Sequence, residues 1–189
     1  MKIPLEAVKA LREKTGAPVG DVRSALEAAG GDETKAREYL KQKGFEAALK
    51  RQGRAAEMGR IESYVHHDGR VGVLVEVNCE TDFVARLSEF QQFCRDVAMQ
   101  IASQHPLYVK KDDLSARHAE EADAKRVGKS AEECAREHYL LEQPCIKDPH
   151  QTVGQSLASL MAKTGENIVI RRFIRLVLGE ELGSDHKKA

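Results

Sequence analysis

Near the start of the chain, apolar residues return every three or four positions. Ile3, Leu5, Val8 and Leu11 make one helical stripe, closed by Thr15-Gly16. Pro4 stands in its first turn, where a missing N–H costs nothing. Val22, Ala25, Leu26 and Ala29 make a second stripe, ended by Gly30-Gly31. Asp32 suits the N-cap of a third helix that turns Tyr39 and Leu40 inward and stops at Gly44. Residues 1–44 therefore predict a three-helix bundle of the ubiquitin-associated type. Residues 45–58 are charged and alanine-rich, which predicts a helical linker.

From Gly59 the period changes to two. Ile61, Ser63 and Val65 alternate with Glu62 and Tyr64, and Val71, Val73, Val75 and Val77 alternate with Gly72, Leu74, Glu76 and Asn78. Between them lies His67-Asp68-Gly69-Arg70, and Asp-Gly tolerates the positive φ of a tight turn, so a hairpin is expected. One long helix is then predicted from Val84, Leu87, Phe90, Cys94, Val97 and Ile101, capped by Thr81 or Asp82 and ended by Pro106. Residues 112–139 predict one or two charged surface helices. Thr152–Lys163 is an amphipathic helix stopped by Thr164-Gly165, and Asn167–Leu178 a third strand. Residues 59–180 thus make an α+β core, with a small antiparallel three-stranded sheet and packed helices. Residues 181–189 form a polar tail.

Composition narrows the function classes. Thirty basic and thirty acidic residues give a net charge of zero, which removes the basic excess of a nucleic-acid binder. The absence of a long apolar run or a leader-like start predicts a cytoplasmic protein with no membrane partner. Four cysteines, at 79, 94, 134 and 145, are too widely spaced for a zinc site and read as reduced thiols. Seven histidines accompany no nucleophile elbow, phosphate loop or dinucleotide fingerprint, so neither an enzyme nor a cofactor or metal is predicted. His66-His67 reads as a polar hairpin end. Strict alternation puts Arg171 and Arg175 on the face of Phe173, either a docking surface for an acidic partner or an exposed face with one covering ring.

The stretch Asn78-Cys79-Glu80-Thr81-Asp82-Phe83-Val84-Ala85-Arg86 joins a strand to a helix. Asp82 is favoured there by the helix dipole. Phe83 lies four positions before Leu87, so spacing alone allows it to start the core stripe. Spacing favours that reading, whereas the tight Cys79-Glu80-Thr81 connection and the Asp82 carboxylate point instead to a rigid tip that presents a ring and a carboxylate to a partner.

Several segments resemble one family. VEVNCETDFVAR (75–86), preceded by GRIESYVHHDGRVGVLVE (59–76), is similar to elongation factor Ts, as are DVAMQIASQHPLYV (96–109), YLLEQPCIKD (139–148) and GENIVIRRFIRLVLGE (165–180). LREKTGA (11–17), Ala25-Leu26 and GGDETKAREYL (30–40) resemble the family's N-terminal domain. The resemblance implies a guanine nucleotide exchange factor for elongation factor Tu. It places Asp82 and Phe83, flanked by Thr81 and Val84, in the tip that enters the GTPase and disturbs its Mg²⁺ and diphosphate site. Further Tu contacts are expected from Arg12, Thr15 and Gly16 and from Arg171 and Phe173. Ala17-Pro18-Val19-Gly20-Asp21 departs from the family's more usual Gly-Met-Met-Asp, Leu87 stands where a polar residue is frequent, and 110–138 is short for the family. One core half, as in short members that pair their cores, implies a homodimer. The competing class is an adaptor, whose bundle recruits a partner without altering nucleotide release.

Overall fold

The computed structural model describes residues 3–111 and 131–180. The N-terminal bundle comprises α1 (Leu5–Thr15), α2 (Val19–Ala28) and α3 (Glu33–Arg51). Pro4 is the N-cap of α1, and Gly16 ends that helix in the left-handed region at φ 67°. Asp32 caps α3 as expected, its Oδ1 accepting from Lys35 N–H at 3.0 Å. Val8, Leu11, Val22, Ala25, Leu26 and Ala36 form the bundle core. Leu5 and Tyr39 do not join it and are exposed. The expected stop at Gly44 is also corrected, because α3 continues to Arg51. Gly44 faces another helix, and a Cβ added there would lie 3.2 Å from Ala162 Cβ. Interior glycine costs a helix about 1 kcal/mol, and here it permits close helix packing. Only the first half of the expected linker is therefore helical.

The sheet has the order β1 (Met58–Val65), β2 (Val71–Cys79), β3 (Ile168–Val177), and both pairings are antiparallel. The predicted turn closes the β1–β2 hairpin, with Gly69 at φ 68° and Asp68 Oδ1 accepting from Arg70 N–H at 2.9 Å. Gly59 has φ 139°, and a Cβ there would sit 2.2 Å from the Val77 carbonyl oxygen. Val73, Val75 and Val77 face the core. Their partners on β1 are Tyr64, Glu62 and Arg60. That pairing sends Ile61 and Val65 to the opposite face, beside Leu74, Ile174 and Leu176. These five apolar side chains are between 49% and 68% exposed.

The helix expected after β2 is two helices, α4 (Asp82–Arg86) and α5 (Ser88–Gln104). Leu87 adopts φ −63°, ψ 137°, an extended conformation that breaks the ladder, and its side chain is exposed. Phe90, Cys94, Val97 and Ile101 nevertheless form the buried stripe that the spacing predicts. α5 ends with His105 in the left-handed region, before Pro106. Next come α6 (Ala131–His138), a 3-10 turn (Leu140–Glu142) and α7 (Val153–Thr164). Residues 112–130 of the expected surface helices, and the tail at 181–189, lie outside the described residues. α7 starts with a capping box between Thr152 and Gln155 and ends at Gly165, φ 76°. It packs against the sheet, α5 and the 3-10 turn on one side and against α3 of the bundle on the other.

A β-bulge lies in the β2–β3 ladder. Glu76 pairs with Arg172 and Val77 with Ile170, so Arg171 is the extra residue. This corrects the strict alternation. Arg171 joins Arg172 around Glu76, at 3.7 and 2.7 Å. The hydrogen-bonded Arg172 guanidinium holds the Glu76 carboxyl below its usual range. Phe173 packs against the core, and Arg175 donates to the Ala102 carbonyl oxygen at 3.3 Å.

Candidate functional site

The segment between β2 and α4 is built from both ends. Cys79 ends the strand, paired with Met58 on one side and Ile168 on the other. Burial pushes its thiol up to about 11, and Sγ donates to the Thr81 carbonyl oxygen at 3.1 Å. Thr81 is the N-cap, extended at φ −128°, ψ 157°, and its Oγ1 accepts from Val84 N–H. One short turn of helix then sorts its side chains. Val84 is buried in the main core and anchors the turn. Asp82 pairs with Arg86 at 2.6 Å across one turn. Phe83 points away from the protein and is 75% exposed. The ring therefore does not start the core stripe.

Opposite this turn lies the connection from α7 to β3. The Glu166 carboxylate accepts from the backbone N–H groups of Glu80 and Thr81 at 3.0 and 3.1 Å, and from the Thr81 hydroxyl at 2.5 Å. Glu80 returns the contact. Its Oε1 accepts from Asn167 N–H at 2.6 Å and lies 3.5 Å from Arg54 Nη1. Asn167 Nδ2 donates to the Arg54 carbonyl oxygen at 2.7 Å. Two carboxylates thus cross-clasp two chain segments just past the end of the β2–β3 ladder. Sequence reasoning did not find this clasp. It joins residues about 85 positions apart, and neither period nor turn chemistry marks such a pair.

The remaining candidates are distributed over the molecule. Arg12 is exposed near the end of α1. Thr15 Oγ1 donates to the Leu11 carbonyl oxygen at 2.7 Å, and Gly16 packs against Lys163 of α7, where a Cβ would lie 3.0 Å from Cε. Thr15 and Lys163 both line a cleft of about 830 Å³ between bundle and core. Arg171 lies three residues along β3 from Ile168, the partner of Cys79, whereas Phe173 is half-buried and packs against the core. His66 Nδ1 lies 3.0 Å from the Tyr64 hydroxyl, beside the His67 ring. Cys79, Cys94 and Cys145 are free thiols, and no group of three or more potential metal ligands occurs among the described residues. No described helix is long and apolar enough to cross a membrane.

A helical bundle docked on an α+β core, with an exposed ring on a braced turn, has the form of a protein that engages another macromolecule. Comparison with known sequences gives that form its family. The family model for elongation factor TS matches residues 9–180. Elongation factor Ts of Carboxydothermus hydrogenoformans is 49% identical, over 95% of this chain and 91% of its own length. That of Rubrobacter xylanophilus is 47% identical, over 94% of this chain and 100% of its own. The chain belongs to the elongation factor Ts family and is a translation elongation factor.

Proposed function

We infer that the protein is a guanine nucleotide exchange factor for elongation factor Tu and that Asp82 and Phe83 act as its inserting tip. The observation that carries this reading is the ring of Phe83, 75% exposed on a turn whose neighbour Val84 is fixed in the core. GDP in a GTPase is held by phosphate-loop N–H groups and Mg²⁺. A ring and a carboxylate forced in beside them favour the empty state. By linkage, the affinity the factor loses when GDP binds equals the affinity GDP loses when the factor binds.

The energies divide the labour. Release accelerated by four powers of ten needs about 5.5 kcal/mol, and burying one phenylalanine supplies about 1.5–3 kcal/mol. The balance must come from a broad docking surface. Arg12, Thr15 and Gly16 of the bundle and Arg171 of the bulge are the exposed or half-buried candidates for it. Phe173 would contribute through its position beneath that surface.

The functional unit is a homodimer. Ile61, Val65, Leu74, Ile174 and Leu176 form an apolar sheet face, and such a patch marks an interaction site. A second copy is its occupant, because the same face supplies complementary apolar side chains from both partners about a two-fold axis. The protein acts in the cytoplasm, where its GTPase partner works, without contacting nucleic acid.

The test is release of a fluorescent GDP analogue from Tu on adding the full chain. Release faster than the spontaneous rate, saturating with factor concentration, is expected. Binding to Tu with an unchanged release rate identifies an adaptor and overturns the reading.

A further inference from the structure

We propose that Glu166 is a positioning residue for nucleotide exchange, stiffening the tip and tying it to the helix on which the N-terminal bundle rests. The proposal builds on the exchange reading above.

A tip that distorts another protein must not bend back under the same load. Residues 82–86 form too short a helix to be rigid alone. Its anchors are Val84 in the core and the segment 79–81. The β ladder ends at Cys79, so the N–H groups of Glu80 and Thr81 lie beyond it. One Glu166 oxygen receives both, and the other receives the Thr81 hydroxyl proton. That last bond has a directional consequence. A hydroxyl has one proton to give, and giving it to Glu166 leaves the oxygen lone pairs of Thr81 to cap Val84 N–H. Glu166 therefore orients the group that starts the turn carrying Phe83.

The other side of Glu166 leads to the bundle. It follows Gly165, the left-handed cap of α7. Two residues before Gly165 is Lys163, against Gly16 of the bundle, and one residue further back is Ala162, against Gly44. Lys163 also approaches Glu89 at the start of α5, at 3.8 Å. A load on Phe83 thus passes through two backbone N–H groups and one hydroxyl into α7. From there it meets the bundle expected to hold the GTPase. Reciprocal closure by Glu80 on Asn167 N–H prevents the two strand ends from sliding apart.

The experiment compares full-length wild type, Glu166→Gln and Glu166→Ala in release of a fluorescent GDP analogue from Tu across factor concentrations. Amide hydrogen exchange at residues 79–84 is followed in parallel. Gln keeps the side-chain shape and loses the acceptor for one donor, whereas Ala loses all three bonds. The saturating rate should fall about threefold in Glu166→Gln and about tenfold in Glu166→Ala. The half-saturating concentration should change less than about twofold, and the amides of Glu80, Thr81 and Val84 should exchange faster in the same order. A purely stabilising role would lower the melting temperature and leave the saturating rate of folded protein unchanged. That result, or a loss confined to the half-saturating concentration, overturns the proposal. If Glu166→Ala does not fold, Glu166→Gln decides by the same criteria. If the wild type itself does not accelerate release, the exchange reading fails separately. Amide exchange then decides whether Glu166 stiffens the tip, and unchanged protection rejects it.

Discussion

Replacing Phe83 with alanine isolates the contribution of the ring. It is 75% exposed in the free protein, so its removal opens no cavity there. The substitution should change folding stability by at most about 0.5 kcal/mol, a shift of about 2 °C or less in Tm for a chain of this size. On the exchange reading, what the ring gains lies in the complex with Tu. Full burial of a phenylalanine is worth about 1.5–3 kcal/mol. Three quarters of that remains available on docking, about 1–2 kcal/mol. If this gain is realised only as GDP leaves, it corresponds to about a 5- to 30-fold change in rate. The assay is stopped-flow release of a fluorescent GDP analogue at saturating factor, repeated over a concentration series. The saturating rate should fall within that range, while the half-saturating concentration moves less than about threefold. Two results refute the reasoning. An unchanged saturating rate means that the ring does not act in the exchange step. A loss wholly in half-saturation means that the ring is an ordinary docking contact.

Three other substitutions probe the scaffold. Ile174→Asp puts a charge opposite Leu74 on the open sheet face, and light scattering should report a mass near 21.0 kDa for the variant and twice that for wild type; a wild type that is already monomeric refutes the pairing. Gly59→Ala forces a Cβ to within 2.2 Å of the Val77 carbonyl oxygen at a φ unsuited to alanine, and should cost about 2–4 kcal/mol in urea unfolding, so an unchanged midpoint contradicts the described register. Burial pushes the Cys94 thiol up to about 12 from an ordinary 9.0. A proton held more tightly in the folded chain adds stability that is complete below pH 9 and fades as pH rises towards 12. The wild-type advantage over Cys94→Ala in urea midpoint should therefore shrink between about pH 8 and about pH 10.5; a constant difference counts against a buried, protonated thiol.

Local chemistry made much of this fold legible. Asp68-Gly69 fixed the hairpin, Thr152 and Gly165 bounded α7, and the spacing of Phe90, Cys94, Val97 and Ile101 marked the buried face of α5. The misses share a cause, because each turns on packing that local spacing does not report. Leu87 fits a helical period and yet is extended and exposed, while Val84 behind it and Phe90 ahead of it are both held by the core. Gly44 looks like a stop and is a contact point with α7. The bulge at Arg171 follows from matching β3 to β2, which no alternation within β3 reveals. At the site, Asp82 and Phe83 could be singled out from a strand-to-helix junction, whereas Thr81 and Val84 joined them only through the family resemblance. Whether the ring faced inwards could not, because Leu87 offered it a core stripe that the fold does not build there. Glu166 carried no local signature at all.

The contact between Gly44 and Ala162 sets a length scale. With no side chain at 44, the backbone of α3 lies against the Ala162 methyl group of α7, where even one added carbon would sit at 3.2 Å. A methyl group added at 44 would act as a shim, pressing α3 and α7 apart by a few tenths of an ångström at this contact. The span between the bundle and the turn that carries Phe83 is therefore graded by one position, and on the exchange reading a series of small residues there would serve as a ruler for how closely the two must be spaced.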